Sequence, residues 1–515
     1  MNTQEMKPVL SSNHSILLQA FQKKSGLSDL NYELRERPDG DILIIQLANP
    51  TNRFFSILEN IISESFPNYS SPPKATLKKR PSKDLLRGPE VKLFARTLSE
   101  SLTIRRDSFG ADFFSRYIHS VSGAENMITS AASHFVLGRR GSGKSTLLLY
   151  ALHLREKENL PSAWVDMQAY SQRNDTNVIV DIIATILEQA SKFAAQEAIA
   201  NDLLSRFRLL AQSSAESSEK EIKNLLPNTK RLMNIILNSS NDFVIFLDDF
   251  HVIDINLQPK LLHFLYSFSK GARVYIKLSA IETFTKFWDA ATRTGMESPH
   301  DAQQIKLDYN LTIADKACDH ICKILDAHAA YCGLPSARSL CSSNDVLNRL
   351  VWVAAGVPRD ALNIFSQAIS KATVRNQSRI TVTNINTAAS DLINDKLRYI
   401  ELDSSGALSK TNQILSQIRD FCIKRKKKNA FLVEIKNTDP VYKGILQLID
   451  LRLLHIVHEG FVKEEAGKRH MALILDYGFY IGMRAAKNID LFNNQTGAPR
   501  YKDLRKLPVF SGECK

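Results

Sequence analysis

The nonapeptide GRRGSGKST, residues 138–146, constrains this chain more than any other feature. It fits G-x-x-x-x-G-K-[ST] without a gap, with an apolar HFVL run before it and an apolar LLLYALHL run after it. Strand, tight loop and helix in that order are the context the pattern requires. Gly138, Gly141 and Gly143 let the backbone bend so that successive N–H groups turn inward, and the positive end of the helix reinforces them. The spacing predicts a phosphate cradle for ATP with Mg²⁺. Lys144 would sit on the β- and γ-phosphates and Ser145 would present its hydroxyl to the metal, with Arg139, Arg140, Ser142 and Thr146 completing the loop.

A cradle needs a second group to hold the metal. FVIFLDDF, residues 243–250, supplies an apolar strand that ends in Asp248 and Asp249, in Walker B form. Asp248 would hold Mg²⁺ through water, and Asp249 would orient or deprotonate the attacking water. Lys144 and Asp248 stand 104 positions apart. That long separation implies an insertion over 176–237, where AQSSAESSEKE reads as an exposed loop.

Four short β-branched or aromatic runs read as strands buried on both faces: 133–138, 162–167, 242–249 and 272–279. They alternate with helical patterns, which predicts an α/β core with a mainly parallel sheet over 107–306. From 307 to about 400 the pattern is wholly helical. Residues 1–67 read as a small α/β region with one strand and one helix. The Ser-, Pro-, Lys- and Arg-rich stretch that follows reads as a flexible basic linker, 68–106. No chemistry is assigned to the first 90 residues.

Composition narrows the class. Apolar residues at 44% and charged residues at 23% exclude a disordered or fibrous chain. Six scattered cysteines exclude a disulfide scaffold. The N-terminus lacks the apolar core of a signal peptide, and no apolar run approaches the roughly 20 residues that span a bilayer. A soluble, cytoplasmic protein with no membrane partner is expected. Cys318, His320, Cys322, His328 and Cys332 invite a zinc reading, but Cys318 and Cys322 lie four apart on a predicted helix, where buried apolar cysteines are the expectation. Phe113 and Tyr117 precede the loop and would pack near the adenine.

Three further features resemble the AAA+ ATPases, and among them the origin-recognition (ORC-like) initiators with their bacterial defence and transposon-regulator relatives. The strand ARVYIKLS ends in Ser279, where the resemblance implies a sensor-1 residue on the γ-phosphate or attacking water. AAGVPRDALNIFSQAI is similar to the G-x-P-R sensor-2 helix, here Gly356, Pro358 and Arg359. RITVTNINTAASD is similar to the last lid helix. The motif order covers roughly residues 107–475. It implies that Arg359 is a lid cation reporting nucleotide state, and that an arginine finger comes from a neighbouring subunit, with Arg293 roughly placed for it. The chain departs from the family at Asp249, where Glu is usual; one methylene fewer implies slow hydrolysis or a binding-governed switch.

Charge is concentrated at the ends. Residues 401–515 carry 20 basic and 13 acidic side chains, while the 290 residues between 110 and 401 are nearly neutral. Residues 409–428 read as a helix ending in Lys424, Arg425, Lys426, Lys427 and Lys428. A second helix, 439–450, carries Lys443, and two strands are joined by a basic tip with Lys463, Lys468 and Arg469. Helices followed by a basic hairpin resemble a winged helix, which implies a DNA-binding module with the helix around Tyr442 and Lys443 in the major groove and the other cations on phosphates. The favoured reading is a homo-oligomerising ATPase that engages DNA. The alternatives are a STAND-like switch in phage defence acting on a protein effector, and a nucleotide-stabilised scaffold without hydrolysis.

Overall fold

The computed structural model describes residues 8–512 apart from 39, 68, 70–71, 81–84, 172, 174, 176, 195–196, 213–214, 239–241, 308–313, 403–406, 437, 464–467, 481–488 and 493–500. Helix α1 (Ser12–Ser25) begins where Ser11 Oγ accepts the His14 amide and stops at Gly26, whose φ of 77° suits glycine. Strands β1 (Asn31–Arg35) and β2 (Ile42–Leu47) pair antiparallel; after helix α2 (Asn52–Ser65), strand β3 (Lys74–Lys79) pairs parallel with β2.

The flexible linker expected over 68–106 is therefore corrected. KATLKK is an edge strand: Leu77 is buried, and its lysines are the charged residues an exposed edge favours. Helix α3 (Pro89–Glu100) follows, with Phe94 edge-on to Phe365 at 6.1 Å. Glu90, fully buried, accepts the Ala48 amide at 2.8 Å and Arg80 at 2.6 Å, tying helix to sheet. A composition rule for linkers cannot see such tertiary partners.

Short helices α4 (Ala111–Phe114) and α5 (Ala124–Ile128) lead into the core. Its order is β4 (His134–Leu137), α6 (Lys144–Lys157), β5 (Ser162–Asp166), then α7 (Asn177–Ser191), α8 (Glu197–Leu210) and α9 (Ala215–Asn238), then β6 (Phe243–Asp248), α10 (Leu257–Ser269) and β7 (Val274–Ala280). A ribbon of β8 (Trp288–Asp289) and β9 (Thr294–Gly295) precedes β10 (Gln303–Lys306). The exposed loop expected at AQSSAESSEKE is corrected from Ala215 onward, where the backbone is helical and Leu232, Met233 and Ile236 further along are buried.

The sheet is wholly parallel, in the order β10-β4-β7-β6-β5. This α/β architecture, a parallel P-loop sheet beside a helical lid, matches the sequence expectation. Between β4 and β6 lies β7, so three carboxyl ends meet at one edge, where α/β sheets bind ligands.

The lid comprises α11 (Ala314–Tyr331), α12 (Asp345–Val353), α13 (Pro358–Val374) and α14 (Val382–Leu402). Pro358 opens α13 at its first position, where a missing N–H costs nothing. The C-terminal region has α15 (Ala407–Arg419), a π-turn over Asp420–Arg425, β11 (Ala430–Glu434), α16 (Pro440–Asp450), β12 (Leu454–Val462), β13 (Arg469–Leu475), α17 (Tyr501–Arg505) and β14 (Val509–Phe510). Its sheet order is β12-β13-β11-β14.

The helix expected to run to Lys428 instead ends with the π-turn at Arg425, and β11 stands between the two helices where no strand was read. Ala430, Phe431 and Leu432 are fully buried, so no alternation advertised that strand. Part of the basic tip, 464–467, lies outside the described residues. One continuous apolar core joins α3, the lid and the C-terminal module, whereas the two faces of the five-stranded parallel sheet have separate cores. Among the described residues no helix is long and apolar enough to cross a membrane.

Candidate nucleotide site

The loop after β4 is shaped by backbone demands only glycine meets. Gly141 and Gly143 have φ of 80° and 96°. A Cβ on Gly141 would stand 2.8 Å from Arg359 Cβ, and one on Gly138 would stand 2.7 Å from Ser142 Oγ. Lys144 Nζ donates to the Arg139 carbonyl at 3.0 Å, bracing the loop across its mouth.

A cavity of about 710 Å³ opens above the loop, lined by Arg140 through Leu147 and by Asp166, Gln168, Asp248, Asp249, His251 and Arg359. Gly138 and Arg139 do not line it; Arg139 is only 5% exposed, and its backbone rather than its guanidinium serves the loop.

Ser279 Oγ donates to Asp248 Oδ1 at 2.5 Å and accepts the Asp249 amide at 2.8 Å. A serine has one proton to give, and this one is given to Asp248. Ser279 is fully buried and absent from the cavity wall. Ser279, expected on phosphate or attacking water, here links the two Walker B positions, one through its carboxylate and the other through its backbone amide. It can do so because β7 lies beside β6 in the sheet.

Burial, then the neighbouring Asp249 charge, push the Asp248 carboxyl up to about 6, against hydrogen bonds from Ser279 and Ser145. A hydroxyl and a carboxylate side by side are hard oxygen donors of the kind Mg²⁺ takes, with phosphates and water supplying the rest. Asp166 ends β5 directly opposite Asp248 in register and adds a third carboxylate to this edge. Asp249 adopts a left-handed conformation, φ 56°, which aims its side chain into the cavity. His251 Nδ1 lies 4.0 Å from Asp249 Oδ1. Its side chain is only 8% exposed, and burial, then Lys144 and Arg140, push its pKa down to about 3.

The lid closes the other side. The Arg359 amide reaches the Gly141 carbonyl at 3.4 Å, and its Nε and Nη2 both donate to the Leu102 carbonyl, at 2.8 and 2.5 Å. Burial lowers its pKa, first among several causes. Arg452, just beyond α16, reaches the same place: its Nη1 would lie 3.2 Å from a Cβ on Gly141, and it pairs with Asp360. Asp360 also pairs with Lys396 at 3.2 Å, Lys396 lies 3.9 Å from Asp476, and Asp476 holds His455 at 2.8 Å. The phosphate loop, the lid and the C-terminal module thus meet at one buried ionic network. Sequence reasoning missed Arg452, because its partner lies 92 positions away.

At the far end of the cavity, Phe113, Tyr117, Ile118, His320, Ile324 and His328 form a mixed apolar wall. Phe113 and Tyr117, expected near the adenine, both line this cavity. Glu125 holds that wall, accepting from Tyr117 Oη and the Ser120 amide at 2.6 Å and from Ser120 Oγ at 2.7 Å. Burial works against its ionisation, yet those hydrogen bonds keep its pKa below the ordinary value.

Arg293 stands exposed in the turn between β8 and β9, outside the cavity. Lys424, Arg425, Lys426 and Lys427 are exposed on the C-terminal module, as are Lys443, Lys468 and Arg469; Lys463 is half-buried. Lys424 pairs with Asp420 at 2.8 Å and Lys428 with Asp490 at 3.4 Å. Tyr442, expected to face a groove beside Lys443, is 4% exposed and belongs to the core.

No protein-family model and no curated protein matches the chain. Among solved structures it is similar to the Walker-type ATPase PABY2304 of Pyrococcus abyssi, at 16% identity over 75% of this chain and 99% of that one, with a TM-score of 0.41. It is also similar to Drosophila ORC bound to DNA, at 13% identity over 84% and 98% of the two chains, and to Aeropyrum pernix ORC1 in complex with DNA, at 13% over 73% and 92%, each with a TM-score of 0.36.

Proposed function

We propose that the protein is an AAA+ ATPase of the ORC-like kind that binds ATP with Mg²⁺, hydrolyses it slowly, and uses the bound state to control self-assembly and DNA engagement by its C-terminal module. One observation carries this reading: Gly141, in the loop built to hold phosphate, is touched by both the lid arginine Arg359 and the C-terminal Arg452. A change at the phosphates is felt directly by both bodies.

The roles follow from the geometry. Loop amides and the α6 N-terminus bind phosphate oxygens, and Lys144 neutralises their charge. Ser145 and Asp248 would hold Mg²⁺, which would supply Lewis-acid polarisation of the terminal phosphate when bound. Asp249 receives the attacking water's proton, and Ser279 keeps both carboxylates in register. Arg359 exchanges the Leu102 carbonyl for a phosphate oxygen as the lid settles. Leu102 lies just beyond α3, so that exchange also alters the join to the N-terminal unit. Exposed cations on the C-terminal module meet DNA phosphates without reading sequence.

The test is anisotropy of labelled duplex DNA with and without ATP over a salt series. The comparison is the variant with Lys424, Arg425, Lys426, Lys427 and Lys428 all changed to Ser. Lys424 and Lys428 already hold carboxylates. The salt slope should therefore fall by about three rather than five, at roughly one unit per lost phosphate contact. Absence of ATP-dependent, salt-sensitive binding would overturn the DNA reading and direct attention to a protein effector.

A further inference from the structure

His251 lines the cavity beside the paired aspartates and has no role so far. It follows Asp249 by two positions, lines the cavity, and is more than nine-tenths buried. Its Nδ1 is buried and finds no hydrogen-bond partner among the described residues. A buried ring nitrogen without a partner is destabilising, so a partner that arrives with the substrate accounts for it.

The separation from Asp249 identifies that partner. At 4.0 Å, Nδ1 and Oδ1 are too far apart to bond directly. A water donating one hydrogen to each acceptor, at about 2.8 Å and with its own angle of about 105°, spans roughly 4.4 Å between them. The observed spacing lies within about half an ångström of that.

We propose that His251 and Asp249 together hold the nucleophilic water of ATP hydrolysis. The imidazole Nδ1 acts as the second acceptor, which makes up for the carboxylate one methylene short. With both hydrogens held, the water's lone pair is left free to point at the terminal phosphorus. In the step itself the water oxygen bonds to that phosphorus, and the bond to the β–γ bridging oxygen breaks and leaves ADP. One water proton passes to Asp249 and the other remains on the phosphate formed. His251 takes no proton: it orients and polarises, an electrostatic contribution made where charge develops. The assignment rests on the ATPase reading above.

Asparagine places its amide oxygen where Nδ1 stands, glutamine places its amide near Nε2, and leucine offers no acceptor. The experiment compares His251→Asn, His251→Gln and His251→Leu in steady-state turnover at pH 8, where an ordinary imidazole is neutral. It also measures equilibrium binding of a fluorescent ATP analogue, and capture of ADP with Mg²⁺ and aluminium fluoride, which mimics the transition state. The expected result is a loss in kcat of about 10²-fold for Leu and Gln, with Asn within about fivefold of wild type. ATP binding should stay within twofold throughout, and aluminium fluoride capture should fail in Leu and Gln but survive in Asn. A merely structural histidine would not separate Asn from Gln in this way. Equal turnover in wild type and His251→Leu would overturn the assignment alone. Wild type that binds ATP yet never hydrolyses it would overturn the ATPase reading and this assignment with it.

Discussion

Replacing Asp360 with Asn tests the ionic network that joins phosphate loop, lid and C-terminal module. Asp360 is 5% exposed and lies between Arg452 at Oδ1 and Lys396 at Oδ2, which are 15% and 11% exposed. Burial alone would raise its pKa, yet Lys396 and Arg452 hold it below the ordinary value. The neutral amide leaves two buried cations facing each other, with Asp476, 3.9 Å from Lys396, and the Arg452 carbonyl, 3.2 Å from it, in partial compensation. Breaking a buried pair in this way costs about 3–5 kcal/mol. Arg452→Met should cost less, about 1–3 kcal/mol, because Lys396 still pairs with the carboxylate.

The two substitutions share one network, so the double variant should fall short of their sum by about 1 kcal/mol or more. Trp352 lies in the apolar core that the lid shares with the C-terminal module. With Trp164 and Trp288 changed to Phe, its fluorescence follows urea unfolding of that shared body alone. At a slope of about 2–3 kcal/mol per molar, Asp360→Asn should lower the midpoint by about 1–2 M. Midpoints within about 0.2 M of wild type for both single variants, or strict additivity in the double, would refute the network as a working joint.

Ser279→Ala should lower kcat by about 10- to 100-fold while leaving nucleotide affinity within a few-fold, because it frees both carboxylates without removing either; parallel turnover and binding measurements check this. A second prediction concerns Lys277, 2% exposed on β7, whose Nζ donates to the Ser130 carbonyl at 2.8 Å. Burial, then Arg155, push its pKa down to about 7 from an ordinary 10.5. The unfolded chain then binds more protons between those values, so this group's contribution is full above pH 10.5 and is lost as pH falls towards 7. Wild-type stability relative to Lys277→Met should rise across that window by up to about 1.4 kcal/mol per pH unit, read from urea midpoints at pH 7 and pH 9; a flat difference would contradict it.

Everything that depends on neighbours in the chain was legible from the sequence. GRRGSGKST carries its glycines, its lysine and its helix start within nine residues, and FVIFLDDF carries its strand and both carboxylates within eight. Four of the five core strands and the helical lid followed from runs of apolar residues, because strands buried on both faces and amphipathic helices write their environment into local pattern; β10, QQIK with one buried residue, did not. Even Asp166, at the tip of a recognised strand, and His251, inside DDFH, were in plain view as residues; what they lacked was a role.

The tertiary structure decided the rest, because it brings together groups the chain keeps far apart. Ser279 bonds Asp248, 31 positions away, a partner that no local pattern indicates. Arg359 finds the Leu102 carbonyl 257 positions off, and Glu90 in a supposed linker anchors a sheet. Strand β3 looked like a basic tether and β11 was left unread between two helices, since short strands draw their stability from the backbone of a partner and not from their own side chains. Lysines 424 and 428, alike in the sequence with their neighbours, differ in the fold because Asp420 and Asp490 stand beside them. Local chemistry marked out the phosphate-loop and Walker B motifs; long-range packing determined which other groups stand beside them.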